Sequence, residues 1–126
     1  ASLSTPTGTT TQSIFGQIYE AGVTESFGPH PDVRAQVGYG LPTANPQYEN
    51  WTWVNATYNT QSGSNDEYIA TFVAPAAGSY RYAYRFSLDQ GVSWTVCDAA
   101  TGDFGAGANF GLSLEFSTLP VLTVTP

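Results

Sequence analysis

The chain contains no lysine and no methionine, one cysteine, one histidine, and charged residues at only 10% of its 126 positions. Each scarcity removes a class of function. Arg34, Arg81 and Arg85 stand alone against ten acids, giving a formal net charge of −7, and such a surface repels phosphate backbones and anionic membranes. Neither nucleic acid nor membrane is an expected partner. A single Cys97 permits no intrachain disulfide, so the fold must stand on its core, and the neighbouring Asp98 raises rather than lowers a thiol pKa. Cys97 reads as a small buried hydrophobe. Without a Cys/His cluster there is no zinc site to build. His30, held between Pro29 and Pro31 in an expected exposed loop, would need long-range support for a Ser-His-Asp or Cys-His arrangement that the sequence does not show, so no enzyme activity is expected. No apolar run reaches membrane-spanning length, and no segment offers a convincing helical face.

What the chain does have is aromatic: eight Tyr, seven Phe and three Trp, set among 13 Gly and 8 Pro. These residues suit a pleated sheet punctuated by turns. The most periodic stretch, with Tyr80, Tyr82, Tyr84, Phe86 and Leu88 at even spacing, places five large apolar side chains on one face of a strand. Asp89-Gln90-Gly91 then signals a turn, and a short strand returns, which makes a β-hairpin. About eight strands are expected in all, near Ile14–Glu20, Val33–Tyr39, Trp51–Tyr58, Glu67–Ala74, Ser79–Leu88, Ser93–Cys97, Phe110–Phe116 and Val121–Val124. This count predicts an all-β fold: one immunoglobulin-like or fibronectin-III-like antiparallel β-sandwich over residues 13–126, with a jelly roll as the alternative. Residues 1–12, rich in Thr, Ser, Pro and Gly, are expected to be a linker or a frayed terminus, and the opening reads as a mature or excised fragment.

Ser87-x-Asp89-x-Gly91-x-x-Trp94 resembles the Asp-box of sialidases and of many secreted proteins. In that family the box is a folding device, which implies that Asp89 ties the turn and Trp94 packs beneath it. A propeller of such blades needs several boxes and several hundred residues, so the resemblance carries over to the hairpin and not to the enzyme.

The run from Ala70 to Arg85, an apolar strand closed by Pro75, an Ala/Gly turn and then Tyr80-x-Tyr82-x-Tyr84-Arg85, resembles the immunoglobulin-like accessory modules attached to secreted bacterial hydrolases, some of them starch-binding. The resemblance implies a module of a larger secreted polypeptide. Low charge and Thr, Ser, Asn and Gln in abundance suit an extracellular location as well.

Trp51 and Trp53 share one face of a strand with Asn55 and Thr57. Sugar rings present apolar C–H patches that stack on flat indoles while their hydroxyls bond to amides and phenols. Trp51, Trp53, Tyr48, Asn55 and Gln47 are therefore the candidate carbohydrate site, with a neutral polysaccharide such as an α-glucan as the expected ligand. The alternative for the same residues is that one or both Trp fill the core, which leaves a structural or adhesive domain with no small ligand. No cofactor is expected. Asp66 and Glu67, and Asp98 with Asp103, are oxygen-rich loop positions that suit Ca²⁺, though turn formation is the leading account of them. Asn50-Trp-Thr and Asn55-Ala-Thr match the N-glycosylation sequon, a weak three-residue signal.

Overall fold

A computed structural model describes residues 2–18, 22, 28–43, 51–63, 65–96 and 120–126. Expectations for Tyr19, Glu20, Gln47, Tyr48, Cys97, Asp98, Asp103 and the strand Phe110–Phe116 lie outside these residues. Nine strands are present among those described: β1 (Ser2–Pro6), β2 (Ile14–Ile18), β3 (Arg34–Gly40), β4 (Thr52–Asn55), β5 (Thr57–Ser62), β6 (Asn65–Ala70), β7 (Gly78–Ser87), β8 (Thr95–Val96) and β9 (Val121–Thr125). They form two sheets of a β-sandwich. The larger has the order β1-β9-β7-β3-β4, with β8 also on β7, and the smaller the order β2-β6-β5.

β7 is the strand around which the larger sheet is built. One of its edges pairs with β3 from Arg81 to Ser87, while the other is shared between β9 and β8. Its alternation sorts the side chains as the sequence predicts: Tyr82, Tyr84 and Phe86 enter the core, and Tyr80 packs partly buried against it. Leu88 departs from the pattern and stays exposed, because the strand ends at Ser87 and the turn has begun. Facing β7 across the sandwich are Ile14 and Ile18 of β2 and Tyr68 of β6, joined by Val37 of β3 and Leu122 of β9.

Two segments behave differently from their composition. The polar start of the chain is not frayed: β1 lies parallel to β9, with Leu3 opposite Leu122 and Thr5 opposite Val124, all four buried. Alternation alone gives the strand an apolar face, and Pro6, lacking an N–H, sits on an edge where no ladder bond is required of it. The chain then crosses to the smaller sheet's side, where Thr11 N–H donates to Phe72 C=O (2.9 Å) and Ala74 N–H to Thr9 C=O (2.8 Å). The run Trp51–Tyr58 is also not one strand. It divides at Ala56, whose N–H donates to Ala35 C=O (2.9 Å), so that β4 belongs to the larger sheet and β5 to the smaller. Thr57 therefore does not share a face with Trp53.

Candidate functional site

The outer face of the larger sheet is fixed by register. Arg34, Gln36, Gly38 and Gly40 of β3 pair with Ser87, Arg85, Ala83 and Arg81 of β7, and all point away from Val37, Tyr82, Tyr84 and Phe86. On β4, Trp53 pairs with Gly38 and Asn55 with Gln36. The glycines make room for the indoles: a Cβ at Gly38 would stand 2.5 Å from Trp53 Cε3, and one at Gly40 would overlap the Trp51 pyrrole ring. Trp51, only 8% exposed, packs with Ala83 and Val96, and Trp53 stacks on it at 5.6 Å with 27° between the planes.

Arg85 continues the stack. Its guanidinium carbon lies 4.2 Å from the Trp53 ring centre and 4.4 Å from that of Trp94, so the cation is held between two indoles. Gln36 Oε1 accepts hydrogen bonds from Arg85 Nε (2.9 Å) and Nη2 (2.6 Å), and Gln36 Nε2 donates to Asn55 Oδ1 (2.9 Å). Burial pulls the Arg85 pKa below the usual guanidinium range, yet the group remains a cation.

Trp94 reaches this position through the β7–β8 turn. Ser87 Oγ donates to Asp89 Oδ1 (2.6 Å) and accepts from the N–H groups of Asp89 (3.2 Å) and Gly91 (2.8 Å). Asp89 accepts from Ser93 N–H at Oδ1 (2.8 Å) and from Ser93 Oγ at Oδ2 (2.6 Å). The bonds from Ser87 and then Ser93 hold the Asp89 pKa down at about 2. Their stabilising effect is present above the ordinary carboxylate value and is lost as pH falls through the lowered one. Gln90, with φ of 61°, is pinned in its left-handed conformation by Asp32, which accepts from its N–H (2.9 Å) and from Nε2 (2.8 Å).

Beside Trp94, the groups Gln36, Asn55, Gln90 and Arg34 border a cleft of about 390 Å³. Its uncharged amides and indole suit hydroxylated rings. A second cavity, of about 470 Å³, lies between the Pro29-His30-Pro31 loop and Tyr58 and Tyr68. His30 Nδ1 accepts from Asp32 N–H (3.1 Å), which assigns the imidazole a turn-making part.

Of the sequence candidates within the described residues, Asn55 borders the cleft, Trp53 stands next to it in the stack with Arg85, and Trp51 lies beneath as support. Ser87, Asp89 and Gly91 build the turn that delivers Trp94. Asp66 and Glu67 do not converge on a cation, because they face opposite sides of β6. Glu67 accepts from Gln17 Nε2 (3.1 Å) and Asn59 Nδ2 (2.7 Å) on the outer face, whereas Asp66 is fully buried. The sequence reading missed Arg85, Gln36 and Gln90. Arg85 was legible in principle, since it alternates with the core tyrosines, and Gly38-x-Gly40 was a signal that large rings lie across β3.

Both Asp66 carboxylate oxygens are buried without a hydrogen-bond partner among the described residues. Burial raises the Asp66 pKa above 3.8, partly opposed by His30. The unfolded chain thus gives up this proton first, so stability declines as pH rises from the ordinary value through the raised one. Asp66→Asn is expected to shift the denaturant midpoint upward at pH 7 relative to wild type, with the gain vanishing near pH 3.

Fold and site together define a β-sandwich bearing a cleft that runs from Trp94 and the amides of Gln36, Asn55 and Gln90 to the core residues Val33, Ala35 and Tyr68. The chain is similar to stretches of three amylopullulanases. Identity is 31% over 86% of this chain in the protein from Thermoanaerobacter thermohydrosulfuricus, 33% over 67% in that from Thermoanaerobacterium thermosulfurigenes, and 34% over 70% in that from Thermoanaerobacterium saccharolyticum. It spans only 9%, 5% and 8% of the respective lengths of these relatives. No family model and no solved structure matches it.

Proposed function

We propose that the chain is a non-catalytic module of a secreted, larger polypeptide, and that it binds a neutral α-glucan of the starch or pullulan kind. The reading rests on the cleft in which Trp94 faces Gln36, Asn55 and Gln90. The ligand class draws on the names of the amylopullulanase relatives, and the non-catalytic part on the small share of their length that is matched. A sheet order of β1-β9-β7-β3-β4 over β2-β6-β5 supports an immunoglobulin-like class, with β7 as the strand that carries the hairpin resembling an Asp-box. A glucosyl ring stacks against Trp94 and the edge of Trp53, and its hydroxyls exchange hydrogen bonds with the amides. Gln47 and Tyr48, which precede Trp51 in sequence, are proposed to complete the contact. Trp51 acts from below by fixing Trp53.

The second reading, a spacing or adhesive domain, is favoured by one observation: Trp51 is buried and the Trp53 ring is covered by Arg85, which stiffens this face without any ligand. Titration of tryptophan fluorescence with amylopectin, β-glucan and xylan separates the two. A saturable shift with amylopectin is expected, and Trp94→Ala should weaken it by about 1–3 kcal/mol, by analogy with aromatic stacking on nucleobases. No shift with any glycan from a folded chain selects the spacing domain.

A further inference from the structure

Resting on the glucan-binding reading, we propose that the two cavities form one groove that takes an internal stretch of a linear glucan chain, with Trp94 at one end and His30 and Tyr58 at the other. The cavities share a wall made of Val33, Arg34 and Tyr68. The exposed Arg34 side chain lines both cavities, and among the described residues its guanidinium bonds to carbonyls of its own chain neighbours, Pro31 (2.5 Å) and Val33 (3.2 Å), so we take it as the divider between them. Such a divider swings aside at the loss of two local contacts.

At the junction, Tyr68 is 4% exposed and its phenol oxygen has no hydrogen-bond partner among the described residues. Buried polar groups are ordinarily paired, so this one is matched to a group that arrives with a ligand. A sugar hydroxyl donates and accepts, as a phenol does, and satisfies it from either side. At the far end, Tyr58 Oη accepts from Gly28 N–H (3.3 Å), which leaves its own proton for a ligand oxygen. Asn55 borders the first cavity, and Thr57 and Tyr58 border the second. Asn55 and Tyr58 lie three residues apart across the break at Ala56, a reach of at most about 10 Å, longer than one sugar ring. Among the described residues, the lining of the far cavity supplies hydroxyls, an imidazole, proline rings and the Arg34 guanidinium, all of which can meet sugar hydroxyls, and no carboxylate.

The test compares maltotriose with maltoheptaose by calorimetric titration of the chain, of Tyr58→Phe and of His30→Ala, each checked for an unchanged circular dichroism spectrum. Maltoheptaose is expected to bind wild type about tenfold or more tighter than maltotriose. The two variants should each pull that ratio toward one. A wild-type ratio near one, or a ratio that both variants leave unaltered, overturns the groove while the single-cleft reading stands. Failure of wild type to bind either sugar overturns both.

Discussion

Gly16→Ala is expected to destabilise the chain by about 1–3 kcal/mol, the usual cost of forcing atoms into a packed core. A Cβ at Gly16 of β2 would stand 2.6 Å from Tyr84 Cγ and 2.7 Å from each Cδ, well inside contact distance. Tyr84 has nowhere to withdraw. It is 0% exposed, stacks on Phe86 at 5.7 Å, and its phenol donates across the sandwich to Ile14 C=O at 2.5 Å. Burial pushes its pKa far above the ordinary phenol value, which keeps the phenol protonated as the donor at neutral pH. Tyr84→Ala should cost about 3–5 kcal/mol, as truncation of a buried aromatic does. In the double variant the clash has no partner, so the added cost of Gly16→Ala should shrink toward zero. Denaturant titration of the four proteins reads this coupling. Additive costs would mean that the glycine is needed for some other reason.

Arg85→Ala is expected to cost about 2–4 kcal/mol and to abolish the proposed glucan binding at the cleft. Two cation–π contacts contribute about 0.5–2 kcal/mol each, and charge-assisted bonds to Gln36 add to them. Removal leaves Gln36 Oε1 without its donors and separates Trp53 from Trp94. Arg85→Lys should recover little, because an ammonium neither lies flat between two rings nor donates as a planar fork. Stability from denaturant midpoints and binding from fluorescence should fall together. A stable variant that still binds amylopectin would remove the stack from the site.

The sheet and its core were open to sequence reading wherever alternation is strict, as from Tyr80 to Phe86, because a period of two has one structural meaning. It misled at Trp51–Tyr58, where alternation runs on through Ala56 although the chain changes sheets there; periodicity reports which face a residue takes, not which sheet it joins. The start of the chain was illegible for a related reason. Leu3 and Thr5 form an inward face only because β9, well over a hundred residues later, lies beside them. Asn55 and Trp53 could be picked out from residue type alone. Arg85 could not be joined to them, since its position depends on a three-strand register and on a turn that brings Trp94 back over β7.

The pairing of β1 with β9 governs how the chain meets a pulling force. The strands run the same way, so the backbone enters beside Ser2 at one pole and leaves beyond Thr125 at the other. Tension applied through those two points slides the strands lengthwise against each other. All five registered pairs, from Ser2–Val121 to Pro6–Thr125, then resist together, whereas a hairpin pulled from its open end gives way one pair at a time. A domain loaded this way stretches little before it yields.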